Sequence, residues 1–310
     1  MHIISAEQFS SNQIKSIFSR ADFFKDADTN IGKRRQLATR HQGRQLSTMF
    51  FQPSTRTRLS FETAAVKLGV GLVSTEDARE HSSSSKGETL EDTIRILNGY
   101  NHDIIVMRYF EAGGAARAAA ISKAAIINAG DGRDGEHPTQ ALLDAYTIYK
   151  NHGRLDNLRI TMGGDLLQSR CVRSLSMLLA KYKNNRITFV SVPQFQVGKD
   201  VQAQLKKAGV KFTQTSDMAS AFKNSDVIYW TRLQAEYLDN KGDLPRGGLV
   251  INRSSLKHMP TSSIIMHPLP RVDEIAPSVD RDRRAKYFEQ AAGGLYVRMA
   301  LIDMILSGEL

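Results

Sequence analysis

Hydrophobic and polar positions change period repeatedly along the chain. Short apolar runs at 46–51, 104–107 and 125–127 read as strands. Between them, apolar residues recur every three or four positions, as on one face of a helix. Ile14, Ile17, Phe18 and Ala21 form one such stripe, Phe61, Ala64, Ala65 and Leu68 a second, and Leu90, Ile94 and Leu97 a third. Each stripe is expected to face a core. A second series of strand-like runs follows at 158–162, 187–192, 226–230, 249–251 and 264–266.

Strands alternating with helices predict an α/β fold of two domains, each a parallel β-sheet flanked by helices. A helix over 139–150 follows a glycine-rich loop and precedes the second series, so the boundary is expected at this helix. One domain would span 1–137 and the other 138–290. A last stripe, Val297, Ala300, Leu301, Met304 and Ile305, predicts a terminal helix within 291–310, after a flexible pair, Gly293 and Gly294. No internal repeat is present, and the four serines 82–85, followed by Lys86 and Gly87, read as a polar linker.

Composition narrows the picture. A chain of 310 residues that is 41% hydrophobic can bury a sizeable core. No run approaches the ~18 apolar residues of a membrane span, and no basic stretch leads into an apolar one near the start. A cytoplasmic protein with no membrane partner is the expectation. The single cysteine, Cys171, excludes an internal disulfide and any zinc site of several thiolates. Lys and Arg number 42 against 32 Asp and Glu, and the resulting net charge of +10 attracts anions. The basic residues are scattered, with short clusters at 33–35 and 281–284, and no aromatic-interleaved RNA motif accompanies them. Nucleic acid is therefore not an expected partner, and small phosphorylated or carboxylated substrates account for the excess.

The densest chemistry is Ser54, Thr55, Arg56, Thr57 and Arg58, between a strand ending at Phe51 and an amphipathic stretch from Leu59. Backbone N–H groups at a helix start carry partial positive charge, and hydroxyls and a guanidinium beside them complete a cradle for a dianion. The bland alternative is an N-cap followed by two solvated arginines. A literal G-x-G-x-x-G at Gly130, Gly132 and Gly135 raises a dinucleotide-dependent oxidoreductase as a competing class. Against it, Asp131, Asp134 and Glu136 would surround the pyrophosphate with carboxylates, and the motif lies late in the fold.

The run Phe51-Gln-Pro-Ser-Thr-Arg-Thr-Arg-Leu-Ser-Phe-Glu62 resembles the carbamoyl-phosphate motif of the aspartate and ornithine carbamoyltransferases. Further segments resemble that family in order: Lys86-Gly-Glu-Thr-Leu90, Met107-Arg108, His137-Pro-Thr-Gln140, Gly164-Asp-Leu166 with Arg170, Thr231-Arg-Leu-Gln234, and His267-Pro-Leu-Pro-Arg-Val-Asp-Glu274. Together they cover nearly the whole chain. The resemblance implies a carbamoyl-phosphate-binding domain over 1–137, with the terminal helix packing back on it, and an aspartate-binding domain over 138–290. It implies transfer of the carbamoyl group of carbamoyl phosphate to L-aspartate, a step of pyrimidine biosynthesis, with another acceptor such as ornithine as the alternative. It also implies a homotrimer with active sites shared between subunits, and leaves open a larger assembly with regulatory chains.

Carried over residue by residue, Ser54, Thr55, Arg56, Thr57 and Arg108 would hold the phosphate of carbamoyl phosphate and His137 and Gln140 its carbamoyl group, with Ser82, Lys86, Pro268 and Leu269 also binding carbamoyl phosphate. Ser82 and Lys86 would reach a neighbouring subunit's site, and Arg170, Arg232 and Gln234, helped by Lys86, would hold aspartate. Arg56, Thr57, Lys86, Arg108 and His137 would be the catalytic residues, with His137 polarising the carbonyl. No protein nucleophile, metal or organic cofactor is implied. Two details refine the resemblance. Gln52 stands where the family commonly has an acidic residue or lysine, which puts closure of the domains by an ion pair there in doubt. His267 is followed by Pro, as in the aspartate branch, where the ornithine branch typically has Cys.

Overall fold

The computed structural model describes residues 1–78, 87–233 and 249–310. Ser82, Lys86 and Gln234 lie outside the described residues. Two compact units emerge: unit 1 joins Met1–Leu142 to Gly293–Leu310, and unit 2 is Leu143–Ala292.

In unit 1 the chain runs α1 (Ser11–Asp28), α2 (Ile31–Leu37), β1 (Gln45–Phe50), α3 (Thr55–Lys67), β2 (Gly71–Glu76), α4 (Leu90–Gly99), β3 (Ile104–Arg108), α5 (Gly114–Ile121) and β4 (Ala125–Asn128). Helix α6 (Pro138–His152) begins in unit 1 and ends in unit 2. Unit 2 continues with β5 (Arg159–Gly163), α7 (Arg170–Leu179), β6 (Arg186–Val190), α8 (Lys199–Lys207), β7 (Lys211–Thr215), α9 (Met218–Phe222), β8 (Val227–Trp230) and β9 (Ile264–Met266). Helix α10 (Tyr287–Leu306) starts in unit 2 and finishes in unit 1.

Both sheets are parallel, in the order β2-β1-β3-β4 in unit 1 and β7-β6-β5-β8-β9 in unit 2. Helices cover such sheets, so the central strands are buried along most of their length, as β3 and β8 are. The predicted stripes are core faces: Ile14, Ile17, Phe18 and Ala21 on α1, Phe61, Ala64 and Ala65 on α3, and Leu90, Ile94 and Leu97 on α4 are all buried. Helix starts are set by local chemistry. Ser10 and Gln13 form a capping box at α1, and Asn30, Thr89, Ser169 and Asp217 cap α2, α4, α7 and α9 through their side chains.

Two expectations are corrected, and two strands are added. The run 249–251 forms no strand; Ile251 makes a single bridge to Ile275, and the Leu249 carbonyl accepts the Trp230 indole N–H at 2.8 Å. Gly293 and Gly294 do not precede the terminal helix but lie inside α10, where packing overrides the weak helix propensity of glycine. Strands β2 and β7 were not foreseen, because their side chains are mostly exposed and carry no apolar alternation.

Within unit 1, α10 is tied down by a buried charge. The fully buried Asp303 carboxylate receives Arg20 from α1 and Arg40, and lies 2.7 Å from the His41 Nε2. Nearby, the buried Arg298 guanidinium sits 5.1 Å from the centre of the Phe61 ring of α3, and the Tyr296 hydroxyl donates to Asp28 at 3.1 Å. Burial by itself would raise the Asp303 carboxyl, but the Arg40, His41 and Arg20 contacts outweigh it and hold the group below its ordinary value. Among the described residues, no helix is long and apolar enough to cross a membrane.

Asp303→Asn is expected to destabilise the protein by about 3 kcal/mol, since it leaves two guanidinium groups without their shared carboxylate. The native carboxylate is depressed relative to the unfolded chain, so its contribution is fully present above the unfolded value near pH ~4 and is lost as pH falls through the lower folded value. Urea unfolding of parent and variant should therefore give curves that are far apart at pH 7 and converge below about pH 4.

Candidate active site

In an open parallel sheet, ligands bind beyond the carboxyl ends of the strands, where the strand order reverses direction. In unit 1 that point falls between β1 and β3, because the chain leaves β1 toward β2 on one side while β3 lies on the other. Phe50 is in register with Arg108, and the Phe51 N–H donates to the Arg108 carbonyl at 2.9 Å. Helix α3 therefore starts beside the end of β3.

Its start differs from those of the capped helices. Ser54 occupies the N-cap position but makes no capping bond with its side chain. Its hydroxyl instead accepts a hydrogen bond from the Arg108 guanidinium at 3.0 Å. The positive end of the α3 dipole is thus open to an anion, with a guanidinium beside it. Thr57 is buried in the first turn, and Thr55 and Arg56 are exposed.

The loop after β4, the next strand, leads to His137 and Gln140. Pro138 opens α6, a position that suits its missing N–H. The His137 carbonyl accepts the Gln140 and Ala141 N–H groups at 3.0 and 3.1 Å, which places both residues in the first turn of the helix. Both are at least nine-tenths buried. Ser54 to Thr57, Arg108, His137 and Gln140 therefore come from the carboxyl ends of three neighbouring strands of one sheet.

The glycine-rich loop is explained without a nucleotide. A Cβ at Gly132 would lie 2.4 Å from the Phe110 carbonyl oxygen, and one at Gly135 would lie 2.6 Å from the Asp131 Cβ. The buried Asp131 carboxylate accepts the Gly113 N–H at 3.1 Å and the Ala115 N–H at 3.4 Å, and so caps α5. These glycines serve close backbone packing.

Unit 2 repeats the design. Its order reverses between β5 and β8, with Gly163 in register with Trp230 and the Thr231 N–H donating to the Gly163 carbonyl at 2.9 Å. Arg170 opens α7 after β5, Arg232 follows β8, and Pro268 and Leu269 follow β9. All four are half-buried. Glycine is required here: a Cβ on Gly163 would lie 2.1 Å from the Trp230 ring, and Gly164 has φ +96° with the Thr231 carbonyl oxygen 1.9 Å from where a Cβ would stand.

The chain after β9 is held by side chains. The His267 Nδ1 accepts the Leu269 N–H at 2.8 Å, and its Nε2 lies 2.7 Å from Glu274. The other Glu274 oxygen accepts the Val272 and Asp273 N–H groups, each at 3.1 Å. Burial would raise the Glu274 carboxyl, but the His267 contact and the backbone N–H groups of Glu274 and Val272 outweigh it and leave the group lowered. Beneath lies Asp144, which accepts the Tyr229 hydroxyl at 2.8 Å and the Gln290 amide at 2.6 Å. Burial, then the Asp144 charge, pushes the Tyr229 phenol well up, so it stays a donor. Asp144 and Gln290 were not foreseen; 146 residues separate them, and no local pattern joins them.

Comparison with known proteins also matches the chain in two consecutive parts. A family model described as "Aspartate/ornithine carbamoyltransferase, carbamoyl-P binding domain" matches residues 1–150, and one described as "Asp/Orn binding domain" of the same family matches residues 156–305. "Aspartate carbamoyltransferase 3, chloroplastic" of Pisum sativum is 46% identical over 309 residues, covering 99% of this chain and 78% of the pea protein. Among solved structures, the catalytic subunit of M. jannaschii aspartate transcarbamoylase superposes with a TM-score of 0.87 at 40% identity, covering 99% of this chain and 98% of that one. The Trypanosoma cruzi aspartate transcarbamoylase in complex with carbamoyl phosphate and aspartate gives a TM-score of 0.89 at 35% identity, with 97% and 95% covered.

Because the Gly163 Cα packs directly on the Trp230 ring, Gly163→Ala is expected to destabilise the protein by at least about 2 kcal/mol, as overpacking does in a tight core. The Trp230 fluorescence midpoint in urea is the measurement; an unchanged midpoint would contradict the packing described.

Proposed function

The chain belongs to the aspartate/ornithine carbamoyltransferase family, and from that premise we propose that it transfers the carbamoyl group of carbamoyl phosphate to the amino group of L-aspartate, giving N-carbamoyl-L-aspartate and phosphate. The observation that carries this reading is the Ser54 hydroxyl, turned away from capping α3 and toward Arg108, which leaves a helix start and a guanidinium facing the same point. Solved relatives bound to carbamoyl phosphate and aspartate favour aspartate over ornithine as the acceptor.

In this reading Ser54, Thr55, Arg56 and Thr57 hold the phosphate with Arg108. His137 and Gln140 hold the carbamoyl group, His137 toward its oxygen and Gln140 toward its NH₂. The Pro268 and Leu269 carbonyls make no hydrogen bond among the described residues, which leaves them as acceptors for substrate N–H groups. Attack of the aspartate amine on the carbonyl carbon forms a tetrahedral species with a negative oxygen. Thr57, Arg108 and His137 stabilise that oxygen as preplaced donors. The bond from carbon to the phosphate oxygen then breaks, and the departing phosphate takes the amine proton. Arg56 and Arg108 stabilise the charge that gathers on it.

Arg170 and Arg232, beyond adjacent strands of unit 2, offer guanidinium forks that suit two carboxylates and repel a cationic ornithine side chain. Gln234 and Lys86 join them in this reading, and Ser82 and Lys86 come from a neighbouring subunit of a homotrimer. The reaction serves pyrimidine biosynthesis, and the cytoplasm is the compartment that the single cysteine fits.

Phosphate release with saturating carbamoyl phosphate should depend on L-aspartate and not on ornithine; faster release with ornithine would overturn the acceptor assignment. Arg232→Ala should raise KM for aspartate about 10- to 100-fold and leave carbamoyl phosphate binding unchanged. For the shared site, Arg56→Ala should lower kcat by about 10²–10³. Mixing it with Lys86→Ala chains should restore part of the activity in verified hybrid trimers, since some sites then lack neither residue. No recovery would place Lys86 within its own chain's site or outside catalysis.

A further inference from the structure

We infer that Gln290 is a positioning residue for carbamoyl transfer: its side-chain amide, anchored on the buried Asp144 carboxylate, fixes the chain at His267 and with it the Pro268 and Leu269 carbonyls. The inference rests on the reading above, in which those two carbonyls face the carbamoyl group.

Gln290 is 1% exposed, and both ends of its amide are in use. The Nε2 donates to Asp144 at 2.6 Å, and the Oε1 accepts the His267 N–H at 2.9 Å. The orientation is forced, because a carboxylate only accepts and a backbone N–H only donates. A side chain here must therefore donate at one side and accept at the other. Glutamate would set a second carboxylate against Asp144, and alanine would leave Asp144 and the His267 N–H short of a partner. Asp144 is 0% exposed and receives the Tyr229 hydroxyl as well, so its position is fixed from a second direction.

From Gln290 the constraint passes outward along the loop. His267 is the first residue after β9. With its N–H held by Gln290, its ring is placed to accept the Leu269 N–H through Nδ1. An accepting Nδ1 carries no proton, so the ring's N–H is on Nε2, 2.7 Å from a Glu274 oxygen. Donors at positions 267, 269, 272 and 273 are thus each taken by a side chain. The carbonyls of Pro268 and Leu269 remain as the acceptors among the described residues. A hydrogen-bonded chain of this kind, closed on a buried charge, fixes direction more sharply than apolar packing would.

The test compares the parent, Gln290→Glu, and the double variant Gln290→Glu with Asp144→Asn, which moves the charge along the chain but restores one donor facing one acceptor at every step. Calorimetry gives the Kd of carbamoyl phosphate and of inorganic phosphate for each. Gln290→Glu is expected to weaken carbamoyl phosphate at least about 10-fold while inorganic phosphate stays within about twofold, with the double variant recovering most of the loss. A folded single variant with parental affinity for carbamoyl phosphate overturns the inference, whatever its thermal midpoint, and so does a folded double variant without recovery. If Gln290→Glu does not fold, Gln290→Asn, neutral and one methylene shorter, must weaken carbamoyl phosphate selectively or the inference fails. A parent that binds inorganic phosphate but not carbamoyl phosphate overturns the function proposed above, which separates that failure from this one.

Discussion

One backbone hydrogen bond in each unit sets where chemistry can occur. In unit 1 it runs from the Phe51 N–H to the Arg108 carbonyl, and in unit 2 from the Thr231 N–H to the Gly163 carbonyl. Each is the last rung between two parallel strands before their chains part toward opposite sides of the sheet. Past that rung the backbone groups lack strand partners, and loops can bring charged side chains to one place. Ser54 and Arg108 meet beyond the first. Arg170 and Arg232 follow the two strands joined by the second. Moving either rung by one residue would turn every side chain that follows to the opposite face.

Much of this was legible because the chemistry sits on consecutive residues. Ser54 to Arg58 and His137 to Gln140 each fall on one helix start, where a few letters specify both the local structure and the donors it presents. Buried strands were legible for a similar reason: the buried positions of β3, β8 and β9 form unbroken runs of bulky hydrophobic or aromatic residues. Strands β2 and β7 lie at sheet edges with mostly exposed side chains, held by backbone pairing and a few polar or ring contacts. No apolar period marks such a strand. The run 249–251 failed in the opposite sense, since it is apolar because it is core, with backbone groups turned to a bridge and to an indole. Asp144 and Gln290 illustrate the deeper limit, because a contact across 146 residues exists only after the fold does.

Buried carboxylates recur as organising centres. Asp303 gathers Arg20, Arg40 and His41 in unit 1, Asp131 caps α5, and Asp144 holds Tyr229 and Gln290 in unit 2. Their contacts include cations at Asp303, backbone amides at Asp131, and neutral side chains at Asp144. In the low dielectric of the interior a carboxylate's field acts strongly on the groups it touches. That field orients the dipoles around it, among them the Gln290 amide. A chain that is basic overall thus uses buried carboxylates inside its units to fix geometry.

The division of the chain between the units also orders events on the ribosome. Leu143–Ala292 is one uninterrupted segment, whereas unit 1 needs Gly293–Leu310 as well as Met1–Leu142. All of unit 2 has been synthesised before the stretch carrying Arg298 and Asp303 exists. Until then Phe61 lacks the guanidinium that sits over its ring, and Arg20, Arg40 and His41 wait for their carboxylate. The segment made first is thus the one finished last, and the nascent chain must carry an incomplete unit 1 through the whole translation of unit 2.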